Sequence, residues 1–224
     1  MNRPRRAPAR LVPPLAGLGV AAALTVALTL APTTAAFTAQ TGDTGNQVTT
    51  ATTFCTSPGT TQPALAPTQD TAIYEVNPGN NYSTTAIGVG TGLSGDAYTL
   101  LKFSIPTPPP GCTITAATLY VYVRTASAPA TINAHRASVP WGNSTTWSSV
   151  PRPAPGVTAV SAGVTAGWMS WPVKPLVQEL VTGPDYGFLL KDSVDHHPTL
   201  TRYQTFESSD SYPTRAPYLV VSWG

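Results

Sequence analysis

Ala117-Thr118-Leu119-Tyr120-Val121-Tyr122-Val123-Arg124 is the stretch that decides the fold. Leu119, Val121 and Val123 fall on one face of an extended chain, and Tyr120, Tyr122 and Arg124 fall on the other. A side-chain period of two is a strand with one buried face, and valine and tyrosine both suit a pleated surface. The same rhythm continues upstream. Ala72-Ile73-Tyr74-Glu75-Val76 alternates and closes on Asn77-Pro78-Gly79-Asn80-Asn81, a dense turn signal. Ile87-Gly88-Val89 makes a short strand, and Thr99 to Ile105 another, stopped by the stiff proline-rich run at 106–110.

Downstream, strands are expected from Thr131 to Val139, Tyr186 to Lys191, Tyr203 to Glu207 and Tyr218 to Trp223. Short apolar runs about ten residues apart, with Gly, Pro, Asn and Asp between them, are the mark of a sandwich or barrel. Only Pro175-Leu176-Val177-Gln178-Glu179-Leu180-Val181 has helical spacing, with Pro175 placed for a first turn. The 24 prolines argue against any long helix. The expected fold is all-β: a jelly-roll-like antiparallel β-sandwich with one short helix, over residues 66–224.

The N-terminus has a different character. Arg3, Arg5, Arg6 and Arg10 precede an apolar run from Leu15 to Ala31, then the small residues Thr33, Thr34, Ala35 and Ala36. That order is a secretory signal peptide over residues 1–36. The competing reading is an uncleaved anchor, but the run is shorter than the roughly 20 residues a membrane span needs. Cleavage would remove four of the 12 basic residues, leaving 8 against 10 acidic ones. Nucleic acid is therefore not an expected partner, nor is stable membrane insertion after cleavage. Residues 37–65 form a Thr/Ala/Gly-rich linker with too little apolar surface to fold alone, tied down at Cys55. In an exported chain, Cys55 and Cys112 are expected to form a disulfide. The expected location is extracellular, secreted or associated with the cell surface.

In order, the segments Asp70-Thr71-Ala72-Ile73-Tyr74, Asn80-Asn81-Tyr82-Ser83, Leu100-Leu101-Lys102-Phe103 and Gly111-Cys112-Thr113-Ile114 resemble the DNRLRE-type extracellular domain, grouped with family 96 carbohydrate-binding modules. Trp141, Thr146-Trp147, Trp171, Asp185-Tyr186-Gly187-Phe188 and Arg215-Ala216-Pro217-Tyr218 continue the resemblance almost to the last residue. It implies a jelly-roll sandwich without catalytic machinery, and polysaccharide binding in some members. Pro172 and Asn143-Ser144 depart from the pattern, where acidic or polar residues are usual. Separately, Ala36 to Thr41 followed by Gly45-Asn46 resembles the mature start of camelysin-type surface and fibre proteins.

Few residues suggest chemistry. Asp195-His196-His197 is the most metal-like cluster, but adjacent histidines on one loop do not converge, and the expectation is an exposed polar turn with no metal. Calcium would suit an extracellular sandwich, with Asp70 and Asp96 as donors, yet no dense acidic loop is present and no cofactor is expected. The carboxylates are scattered and show no matched pair, and no Gly-x-Ser-x-Gly elbow occurs, so the chain is not read as an enzyme. Sugars are held by flat aromatic faces and directed polar groups, since a pyranose has apolar C–H faces and a polar rim. Tyr120, Tyr122 and Arg124 form such a stripe, with Lys102 expected to extend it from a neighbouring strand and Trp168 exposed at a loop end. The bland alternative is that these tyrosines are good strand formers under a covering loop. Trp141 and Trp147 are expected to pack loops onto the sandwich. The first reading is thus a non-catalytic module for polysaccharide or cell-wall glycan. The alternative is a structural or adhesive surface protein that assembles through residues 37–53 by strand addition.

Overall fold

A computed structural model describes residues 54–224, apart from residues 62, 157, 163, 164 and 198. The expected signal peptide and the segment 37–53 lie outside the described residues. The strands are β1 (Gly59–Thr60), β2 (Pro67–Tyr74), β3 (Ile87–Thr91), β4 (Ala97–Phe103), β5 (Ile114–Ala126) and β6 (Ala130–Arg136). They continue with β7 (Thr158–Ala162), β8 (Gly167–Pro172), β9 (Phe188–Asp192), β10 (Arg202–Phe206) and β11 (Tyr218–Trp223), with the helix α1 (Lys174–Thr182) between β8 and β9.

All pairings are antiparallel, and the strand order is β1-β11-β5-β10-β3-β4-β9-β6-β7, with β2 added to β4 and β8 to β5. The expected sandwich is there, but its two layers are one hydrogen-bonded sheet that curls back on itself. β10 makes the connection, pairing β5 on one side and β3 on the other. A bulge between Thr205 and Phe206 marks the bend, as bulges do where a strand changes direction.

β5 runs 13 residues and organises one layer. One edge is shared by β11 and β10, and the other is taken by β8. Its inward Leu119, Val121 and Val123 meet Leu101 and Phe103 of β4, Phe188 of β9 and Phe206 of β10 in one core. Each such side chain contributes roughly 1.5–3 kcal/mol by leaving water. Leu176, Val177 and Leu180 of α1 add to the same core, and Pro175 occupies the first turn as its fixed φ allows. A smaller apolar cluster of Ile73, Leu100 and Leu189 lies on the opposite face of β2, β4 and β9, roofed by Trp141 and Trp147.

Three strands were not anticipated. β8 hides its alternation because Trp168 and Trp171, three positions apart, face opposite ways. Its ends, Gly167 and Pro172, also read as loop residues. Pro172 is the last residue of β8, where it lies opposite Thr118 of β5. β7 pairs with β6. β1 belongs to the expected linker, yet Gly59 pairs with Trp223 and Thr60 with Ser222, and Leu65 bridges to Leu219. Cys55 and Cys112 are joined by a disulfide. The strand expected from Thr131 to Val139 ends earlier, at Arg136, and Val139 is exposed.

Candidate functional site

The pleat of β5 that buries Leu119, Val121 and Val123 turns Tyr120, Tyr122 and Arg124 outward. Register then chooses their neighbours: Tyr218 of β11 lies opposite Tyr120, and Trp168 of β8 lies opposite Tyr122. The rings of Tyr120 and Tyr218 stack with centroids 4.5 Å apart at 14°. Trp168 meets Tyr122 edge-on at 5.3 Å and Tyr218 at 5.1 Å. Four rings from three adjacent strands thus form one continuous patch. Trp168 is its most open member, 45% exposed, while the tyrosines are half-buried. Burial, then the neighbouring Tyr120, pushes the Tyr218 phenol above its usual range, so it stays a neutral hydrogen-bonding group.

Two guanidinium groups border the patch. Arg215 ends a short 3₁₀ turn at Pro213–Arg215 and sits 4.6 Å above the Tyr122 ring. Arg124 lies 5.7 Å from the ring centre of Tyr212. Neither is ion-paired with a carboxylate among the described residues. A guanidinium over an aromatic face keeps its fork of donors free at the edge, where it can take a carboxylate or hydroxyl.

Residues 61–223 match the carbohydrate-binding module family 96. The chain belongs to that family. No curated protein matches it. Membership identifies the described domain as a carbohydrate-binding module, and among the described residues no helix is long and apolar enough to cross a membrane.

Within this module, Lys102 does not join the stripe. It lies on β4, whose partners are β2, β3 and β9, so β4 is not a neighbour of β5 and two strands, β3 and β10, stand between them. Its charge acts instead on Asp185, whose carboxyl is raised above the usual range by burial, against the opposing pull of the Gly187 N–H and Lys102. Conversely, Tyr218, Arg215 and Tyr212 are members of the face that sequence reasoning missed. Tyr218 was visible as the start of a strand, but only the register reveals that it stacks on Tyr120.

Trp141 and Trp147 do pack a loop onto the outer face of β4. The Trp141 indole N–H donates to the Tyr186 carbonyl, and Trp147 tilts against Tyr98 at 4.9 Å. Beside them lies a hollow of about 390 Å³ lined by Tyr98, Trp147, Arg152, Lys191 and Asp195 among others. Its lysine is already committed, paired with Asp195 and lying 5.5 Å from the Tyr98 ring centre. Burial, then Asp195, pushes the Tyr98 phenol far above its usual range.

The polar turn at 195–197 is exposed at His196 as expected, but it is not isolated. Glu75 and Asp96 converge on His196, at 3.1 Å from Nε2 and 3.1 Å from Nδ1 respectively. The two histidines indeed do not converge: His197 Nδ1 accepts the Thr199 and Leu200 N–H groups. Nor do Asp70 and Asp96 share a donor set. Asp70 is buried and accepts hydrogen bonds from the Ser208 hydroxyl and from both the N–H and the hydroxyl of Ser209.

Proposed function

We propose that the module binds an acidic polysaccharide of a cell wall or cell surface on the aromatic face of β11, β5 and β8, outside the cell and without catalysis. The observation that carries this reading is the continuous set of Tyr120, Tyr122, Tyr218 and Trp168 flanked by Arg215 and Arg124. Trp168, the most open ring, offers an apolar surface to pyranose C–H groups with the half-buried tyrosines packed beside it, and the arginines offer planar, two-pronged donors that fit carboxylates. A contiguous aromatic patch of this kind on a soluble domain is a mark of binding. The leader-like residues 1–36 and the Cys55–Cys112 bridge support an oxidising, extracellular setting.

Affinity electrophoresis on a uronic-acid polymer and on a neutral glucan, run beside light scattering, tests it. Tyr122→Ala and Trp168→Ala are each expected to weaken retention about tenfold or more, as loss of a central aromatic anchor does. Arg215→Ala is expected to erase the preference for the charged polymer. Retention unchanged in all three variants sinks the proposal. Self-assembly that vanishes on deleting residues 37–53, with no glycan retention at all, would favour the adhesive alternative.

A further inference from the structure

The geometry points to a binding site for one divalent transition-metal ion, of the zinc class, formed by Glu75, Asp96 and His196. One donor atom from each lies within 4.8 Å of the others, close enough for a small contraction to bring all three around an ion. They come from three places: just past the end of β2, just before β4, and the loop between β9 and β10.

Asp96 supplies a second sign, a buried oxygen whose hydrogen-bonding is incomplete. It is only 2% exposed, a depth at which a carboxylate needs donors on both oxygens. Oδ1 has them, accepting the Thr91 hydroxyl at 2.6 Å and the His196 N–H at 3.0 Å. Oδ2 is buried and has no aligned hydrogen-bond donor; its neighbour is His196 Nδ1, 3.1 Å away. A buried carboxylate oxygen with no aligned donor is costly, and a cation shared between it and that ring nitrogen removes the cost.

The backbone around the group is held in shape at some expense. His196 has φ of 50°, the one non-glycine residue with positive φ among the described residues. Such a residue carries strain that surrounding contacts must offset. Here the Asp96 carboxylate anchors the His196 N–H and the Thr91 hydroxyl anchors the His197 N–H. Across the gap, Gly95 has φ of +104°, and a Cβ there would sit 2.7 Å from Glu75 Oε2. The glycine keeps that side clear for the carboxylate. A hollow of about 470 Å³, lined by Glu75, Gly92 to Gly95, His196 and His197, leaves room for water or a ligand oxygen to complete the coordination.

Two carboxylates and a neutral imidazole carry the charge and the ligand type for zinc or a similar ion. Calcium prefers oxygen donors throughout and gains nothing from the imidazole. The competing account is a plain ion pair, an imidazolium held between two carboxylates with no metal role.

Equilibrium dialysis of the untagged full chain against zinc chloride and against calcium chloride, with metal content measured, separates the two. The expected result is one zinc per chain at micromolar free metal, with calcium bound at least tenfold more weakly. His196→Ala and Glu75→Gln are each expected to reduce zinc affinity at least tenfold. Both positions are at least partly exposed, so the variants are expected to keep the fold, and circular dichroism checks this. No stoichiometric zinc at millimolar metal, or zinc uptake that survives either substitution in folded protein, overturns the proposal.

Discussion

Trp171 and His135 show what single residues decide. Trp171 is fully buried between the layers, and its indole N–H donates to the Ile132 carbonyl at 3.0 Å, tying β8 to β6. Trp171→Phe keeps much of the apolar volume but removes that hydrogen bond between β8 and β6. The expected cost is about 1–3 kcal/mol, read from urea unfolding midpoints. His135 contributes through protonation. Its Nδ1 faces the Ala154 and Gly156 carbonyls, so in the neutral ring Nδ1 must carry the proton. Burial lowers its pKa in the folded chain, only partly opposed by those two carbonyls. A histidine depressed on folding stabilises the protein fully above its unfolded value, about 6.5. That contribution is lost as pH falls below this value and through the lower folded one. Thermal unfolding should therefore show stability declining on acidification from about pH 6.5, with a shallower decline in His135→Gln.

At the level of elements, α1 was readable because Leu176, Val177 and Leu180 recur at helical spacing and all three are buried. Leu180→Ala empties a site packed against the sheet and is expected to cost about 2–4 kcal/mol, with the midpoint of chemical unfolding shifted and its slope unchanged. β5 was equally plain, since strict alternation names both of its faces. β8 was not legible, because two tryptophans three positions apart send opposite signals about which face is inside. The stripe of Tyr120, Tyr122 and Arg124 could be read from one strand, but its partners could not. Strand adjacency is a non-local property, and it excluded Lys102 while bringing in Tyr218. The group at His196 was hidden for the same reason: Asp96 is 21 residues from Glu75 and 100 from His196. Only the hairpin ends of the folded sheet bring them together.

For the molecule as a whole, the principal covalent constraint is the Cys55–Cys112 bridge, whose ends are 57 residues apart. In the chain-entropy picture, closing a loop of that size restricts the unfolded ensemble by about 4 kcal/mol. Unfolding in urea with and without reductant measures this directly. A difference under about 1 kcal/mol would show that the segment before β2 contributes little to the folded state.

The position of the last strand gives that bridge a second consequence. β11 lies between β1 and β5, and the bonded cysteines stand just before each of those two strands. β1, β5 and both cysteines precede Tyr218–Trp223 along the chain, so β11 is the last strand to be made. That late strand acts as a zipper: it fills the groove between β1 and β5 and covers a backbone edge of each. A chain clipped ahead of Tyr218 would carry that groove open, a ready socket for any extended peptide of matching pleat.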